Sequence, residues 1–388
     1  LNTAPAVDLD NRHAGEYSLY SKKELCVWHQ EKTRKRVAKM RITTLAITII
    51  GSFIMSLALV NTDMAEAAEA VDLWPGKIVV AHRGASGYLP EHTLESKAMA
   101  YAMDVQYLEQ DVVMSKDDQL IVLHDLTLDR TTDVAEKFIG RSRGDGKHYV
   151  VDFTLEELLT LDVTEGFTVQ GNQPEQNYPG RFPMGKSSFK LNTLAQEIEM
   201  IQGMNYATGK DVGIYPEIKS PAFHRQEGKD ISQAIVAELK RYGYTSKEDK
   251  VYLQTFEFDE LKRVHDELLP AAGIELKLVQ LIESSDEWMI TPEGIAEIAR
   301  YADGLGPEKG SIINSESTAD NLLISHVVRE AHRHGMQVHP YTFRLDEGHI
   351  PAYASSFEHM LELFFINANV DGVFTDFPDR AVNYLKNR

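Results

Sequence analysis

The chain has 388 residues, 43% hydrophobic and 26% charged, which is enough apolar material for a sizeable core. Its formal charge is −19 and no basic cluster follows residue 39, so nucleic acid is excluded as a polyanionic partner and the surface is expected to be solvated. The one cysteine, Cys26, leaves no disulfide framework, thiol nucleophile or cysteine metal ligand downstream of it.

Residues 1–39 carry no hydrophobic period and end basic, with Lys32, Arg34, Lys35, Arg36 and Lys39 before Met40. From Ile42 to Val60 there is no charge, and Ala65-Glu66-Ala67-Ala68-Glu69-Ala70 follows. A positive segment, an apolar stretch and small residues at a cleavage site describe a secretory signal over 40–70, with 1–39 an upstream extension outside the working protein. The competing reading is a membrane tether through an uncleaved 42–60 segment, whose 19 residues just suffice to cross a bilayer. Ala67 and Ala70 satisfy the small-residue rule and favour cleavage. The expectation is an exported bacterial enzyme, periplasmic or secreted, of residues 71–388, with no stable membrane partner after cleavage.

Beyond residue 71, strand-length apolar runs occur at Lys77–Ala81, Tyr107–Met114, Leu120–Leu123, Gly213–Ile218, Val251–Gln254, Lys277–Leu281, Gln337–His339 and Gly372–Thr375. Amphipathic segments lie at Thr93–Ala102, Lys229–Arg241, Asp259–Leu268, Pro292–Tyr301, Leu322–His334 and Ser356–Asn367. Such alternation predicts parallel strands with crossover helices. At this length the α/β class with a TIM (β/α)8 barrel leads, and a doubly wound open sheet is second. Between Asp125 and Leu191 the alternation stops, leaving only a short helical pattern at Thr154–Leu161. A structureless loop of that length is improbable, so 125–191 reads as a small insertion subdomain over one mouth of the barrel. It leaves from the strand that ends at His124, on the side where barrels carry their active sites.

The chemistry gathers at strand ends. Glu109 and Asp111 are two apart on one strand and project together, a repulsive pair that a divalent cation would relieve. Glu217 offers a third carboxylate from another apolar strand, and an all-oxygen set favours Ca²⁺ or Mg²⁺ over zinc. His82 and His124 each end a strand, and two histidines can divide proton removal and proton donation. Arg83 presents a fork suited to phosphate oxygens, and Lys219, two beyond Glu217, adds a point charge on the same face. Gly84 and Gly87 permit a sharp turn. Glu91 is balanced between capping the first helix and serving the site, His92 reads as a supporting residue, and Asp125 as an orienting partner of His124. His224, His326, His332 and His334 read as surface or helix residues. Neither a G-x-S-x-G elbow nor a P-loop lysine motif is present.

The ordered motifs H-R-G-A-S-G-Y-L-P-E-H-T, Y-L-E-Q-D-V, V-L-H-D, Y-P-E-I-K and T-D-F-P, spanning about residues 78 to 384, resemble the glycerophosphodiester phosphodiesterase family, especially its exported bacterial branch. That family has a TIM-barrel fold with an insertion after an early strand. The resemblance implies Glu109, Asp111 and Glu217 as ligands of one divalent cation, Ca²⁺ before Mg²⁺. His82 and His124 become general acid and base, Arg83 and Lys219 hold phosphate, and Glu91 lies beside the metal. Tyr341 and Phe377 fall at the mouth, where the glycerol or its head group should lie. Many relatives have asparagine where His92 stands. The implied substrate is a small-molecule glycerophosphodiester, cleaved through a cyclic phosphate to sn-glycerol 3-phosphate and an alcohol; no oligomeric state is implied. Competing readings are an exo-hydrolase of glycerol-phosphate cell-wall polymers, a phospholipase D-type relative, and a non-catalytic surface binding protein. The insertion opposes the second, and the full set of histidines and carboxylates opposes the third.

Overall fold

The computed structural model describes residues 76–170 and 173–387; the segments at 1–39 and 40–70 lie outside the described residues. In chain order the strands are β1 (Ile78–Ala81), β2 (Tyr107–Met114), β3 (Leu120–Val122), β4 (Phe167–Gln170), β5 (Gln173–Gln176), β6 (Gly213–Ile218), β7 (Tyr252–Thr255), β8 (Lys277–Ile282), β9 (Gly304–Pro307), β10 (Gln337–Val338) and β11 (Gly372–Thr375). Eight of them run parallel as neighbours in the order β10-β9-β8-β7-β6-β2-β1-β11. The two ends meet through backbone bonds at and beyond the short β10: Asp371 N–H to Val338 O (2.9 Å), Phe374 N–H to Pro340 O (3.0 Å) and Phe343 N–H to Phe374 O (2.8 Å). With helices between the strands, this is the TIM barrel expected. Among the described residues no helix is long and apolar enough to cross a membrane.

Every residue of β2 and of β6 is buried, as parallel strands covered on both faces require. Tyr107, Tyr215, Tyr252 and Phe374 pack together inside the ring, with Tyr215 stacked on Tyr252 at 4.8 Å. A side chain at Gly213 would meet the Tyr107 ring at 2.4 Å, so glycine there makes room for this floor. Because alternate residues share a face, Tyr107 directs Glu109 and Asp111 inward as well, and Tyr215 does the same for Glu217.

Five elements differ from expectation. β3 is outside the ring: it pairs antiparallel with the far half of β2, Met114 opposite Leu120, because a connection as short as 115–119 can make only a hairpin. The ring takes β9 instead, which sequence reading omitted. Helices Leu194–Thr208 and Pro378–Lys386 are likewise additional. The expected helix at Leu322–His334 is regular only over Val327–Arg333.

Residues 125–191 contain one-turn helices (Val134–Lys137, Leu155–Leu158), a 3₁₀ turn and the β4–β5 hairpin. They bury a separate core of Leu128, Val150, Phe153, Leu161 and Phe189 against Val113 of β2 and Ile121 of β3. Elements this short leave little periodicity to read, and it is their shared apolar core that orders them.

Candidate active site

The inward row on β2 and β6 ends in acid. Asp111 and Glu217 are paired across the two strands, and Lys219 continues the row with its Nζ 3.0 Å from Glu217 and 3.5 Å from Asp111. Glu109 accepts the backbone N–H of Arg83 at 2.5 Å, while buried Lys97 donates to the Glu109 carbonyl from below. His92 Nε2 lies 2.8 Å from Asp111. Donor atoms of His92, Glu109 and Asp111 all lie within 4.8 Å of one another, whereas Glu217 is not in that tight trio and instead faces Asp111 and Lys219.

Burial and the neighbouring Asp111 hold the Glu109 carboxyl well above its ordinary range. Glu217 is pushed up to about 8, by burial and by Asp111 against the pull of Lys219. Asp111 goes the other way: burial would raise it, but Lys219, His124 and His92 together hold it well below its ordinary range. Protons thus do the work of a counterion in this cluster. Three buried carboxylates beside a neutral imidazole, lowered by burial to about 3, suit a divalent cation, which would displace those protons.

The segment after β1 turns back on itself. Arg83 and His92 both adopt positive φ (59° and 60°), as does Gly84 (92°), where a side chain would meet the Ser96 backbone at 2.9 Å. This turn brings Arg83 Nη1 to 3.1 Å from both Glu91 oxygens and its Nε to 3.4 Å from Asp111. Glu91 therefore does not cap the helix that begins at Leu94; Thr93 does, accepting the Ser96 N–H. Although burial opposes it, the Glu91 carboxyl is held well below its usual range by Arg130 and Arg83.

Each histidine is held by an aspartate through Nδ1. His82 lies 2.6 Å from Asp376 Oδ1, and His124 lies 2.5 Å from Asp125 Oδ1. The remaining oxygen of each aspartate accepts from arginine: Asp376 from Arg181 (2.6 Å) and Arg344 (2.9 Å), Asp125 from Arg130 (2.6 Å). Burial, reinforced by Arg83, lowers His82 to about 4; burial, then Arg83 and Lys219, also lowers His124. Both rings are neutral at neutral pH, with Nε2 left for chemistry.

The remaining expectations divide. Phe377 is buried edge-on against Tyr88 beneath Gly87, where a side chain would strike its ring at 2.5 Å. Tyr341 stands edge-on to Phe256 and donates to the Ile282 carbonyl at 3.0 Å. His224, expected on a surface or a helix, is on the helix Pro221–Gln226 but fully buried, and its Nε2 accepts the Met114 N–H at 3.1 Å. Sequence reading missed Asp376 as the partner of His82, and missed Arg130, Arg181 and Arg344 altogether. The T-D-F-P motif was the one available signal for Asp376.

Residues 82–380 match the glycerophosphoryl diester phosphodiesterase family. A glycerophosphodiester phosphodiesterase of Haemophilus influenzae is 46% identical over 89% of this chain and 99% of its own length. That of Treponema pallidum is 43% identical over 80% of this chain and 92% of its own length. Among solved structures, a glycerophosphodiester phosphodiesterase from Agrobacterium tumefaciens superposes with a TM-score of 0.52 at 18% identity, covering 79% of this chain and 99% of that one, and supports the fold.

Proposed function

The chain belongs to the glycerophosphoryl diester phosphodiesterase family, and from that premise we propose that it hydrolyses glycerophosphodiesters to sn-glycerol 3-phosphate and an alcohol by two-histidine acid–base catalysis. The carrying observation is the pair of histidines, each fixed at Nδ1 by an aspartate, beside a carboxylate cluster and the Arg83 fork. With Nδ1–H donated to the aspartate, Nε2 of one histidine takes the proton of the glycerol hydroxyl as its oxygen attacks phosphorus. The bond from phosphorus to the alcohol oxygen breaks, and the other histidine, protonated, gives that oxygen its proton. The anionic diester supplies the countercharge that favours an imidazolium in this buried site. Water then opens the cyclic phosphate, with the histidines exchanging roles. Arg83 and Lys219 offset charge on the non-bridging oxygens.

Glu109, Asp111 and Glu217 would hold a divalent cation, with His92 beside them. Ca²⁺ is the first choice, because hard oxygen donors dominate. When bound, the ion supplies Lewis-acid neutralisation of phosphoryl charge. Coupled measurement of glycerol 3-phosphate release from glycerophosphocholine tests the reading. We expect activity to be lost in chelator, restored by Ca²⁺, and lost in His82→Ala. Undiminished release in chelator would sink the metal assignment, and full activity in His82→Ala the proton-transfer assignment. We also propose export through the 40–70 segment, on the basic stretch, apolar run and alanine-rich site. N-terminal sequencing of the protein from its host should begin near Val71.

A further inference from the structure

We infer that the inserted segment 125–191 is a positioning device for both proton-transfer histidines, acting through Arg130 and Arg181; this rests on the two-histidine reading above. The two sides of the site share one wiring. His82 occupies Oδ1 of Asp376 while Arg181 Nη2 occupies Oδ2 at 2.6 Å. His124 occupies Oδ1 of Asp125 while Arg130 Nε occupies Oδ2 at 2.6 Å. At Asp125 the arginine is Arg130 of the insertion; at Asp376 Arg181 of the insertion shares Oδ2 with Arg344 (2.9 Å), and in each case the insertion's arginine restrains the carboxylate from rotating away from the imidazole. An ionised aspartate fixed at Nδ1 selects the tautomer whose Nε2 is free for proton transfer.

Both arginines are themselves held at several points. Arg181 forks onto Asp346 (3.0 and 2.6 Å), donates to the Ser86 carbonyl (3.1 Å) and lies over the Tyr178 ring at 4.0 Å. Its side chain is only 4% exposed. Arg130 adds two bonds to Glu91 (3.1 and 2.5 Å), the same carboxylate that receives Arg83. Close approach is built in: Gly166 lies where a side chain would come within 2.9 Å of Arg130 Nη1, and Phe167 N–H bonds the Arg130 carbonyl at 3.0 Å. Lysine keeps the charge at either position but cannot satisfy several acceptors with one fixed plane.

Arg181→Gln, Arg181→Lys and Arg130→Lys test the inference by steady-state glycerol 3-phosphate release and by ¹⁵N NMR of histidine-labelled enzyme loaded with Ca²⁺. For Arg181→Gln we expect kcat to fall about 10- to 100-fold with KM changed less than about threefold. The His82 resonances should show loss of the single Nδ1–H tautomer; Arg130→Lys should do the same for His124. If Arg181→Gln does not fold, Arg181→Lys gives the same readout with smaller perturbation. A rise in KM alone would make the arginine a substrate contact and overturn the inference, as would unchanged kcat with unchanged tautomers. His82→Ala separates the two levels: if it stays active the two-histidine reading fails, whereas an inactive His82→Ala beside unaffected arginine variants defeats the positioning role alone.

Discussion

Glu165→Gln should stabilise this protein in alkaline solution and leave it unchanged in acid. Glu165 lies in the insertion, 4% exposed, with Oε2 making no hydrogen bond. Burial is the main reason its pKa rises from 4.5 to about 8; Glu91 and Asp376 add to the effect, and Arg181 and Arg130 oppose it. The folded protein therefore keeps a proton that the unfolded chain releases above 4.5. This contribution to stability is complete below 4.5 and is lost as pH rises through 8. Each pH unit of separation is worth about 1.4 kcal/mol, so full ionisation opposes folding by roughly 5 kcal/mol at most. Movement of either arginine toward the carboxylate would reduce that figure. Glutamine mimics the protonated acid and removes the penalty. Thermal melts at pH 4 and pH 8.5 should show nearly coincident midpoints at the lower pH, and a variant about 3 °C or more higher at the upper pH. An equal gap at both pH values would refute the reasoning. So would a variant less stable at pH 8.5, which would mean that the carboxylate is ionised and paired with Arg181.

Lys97→Met should cost about 3–5 kcal/mol in denaturant unfolding, since it strands Glu197, whose carboxylate pairs with Lys97 at 3.0 Å in a fully buried site; Lys97→Met/Glu197→Leu should recover much of it. Gly294→Ala would place a methyl group 1.9 Å from the Trp288 carbonyl and should destabilise by about 2 kcal/mol or more, whereas Gly203→Ala, in open space on the helix Leu194–Thr208, should stabilise by about 0.5–1 kcal/mol in the same assay. Glu217→Gln should weaken divalent-cation affinity about 10- to 100-fold when the chelated enzyme is titrated; undiminished affinity would remove Glu217 from the ligand set.

The parts of this fold that were legible are those whose residues announce their own geometry. β2 and β6 read as buried strands because their apolar residues outnumber the acids, and i, i+2 spacing alone places Glu109 with Asp111. β9 did not, because Gly-Leu-Gly-Pro has the composition of a turn. Its glycines serve close contact instead: a side chain at Gly306 would meet Leu281 at 2.6 Å. The helix Leu194–Thr208 hides its period by burying Glu197 while exposing Tyr206. Lys97, a charge on a helix, reads as surface yet is fully buried, and its partners, the Glu109 carbonyl and Glu197 a hundred positions on, explain it. The histidines were visible at strand ends, but their aspartate and arginine partners were harder. Asp376 is 294 positions from His82, and Arg181 sits in a polar stretch where arginine looks like solubility. Long-range pairing of ordinary surface residue types leaves no local trace.

The pairing of β1 with β11 has a consequence for synthesis. His82 leaves the ribosome 294 residues before Asp376, which fixes its ring. A nascent or truncated chain lacking β11 therefore carries the histidine without its orienting carboxylate. On the two-histidine reading, proton transfer at this centre waits on β11, so a fragment released before that strand is made has no oriented His82 with which to move a proton on the cell's own diesters.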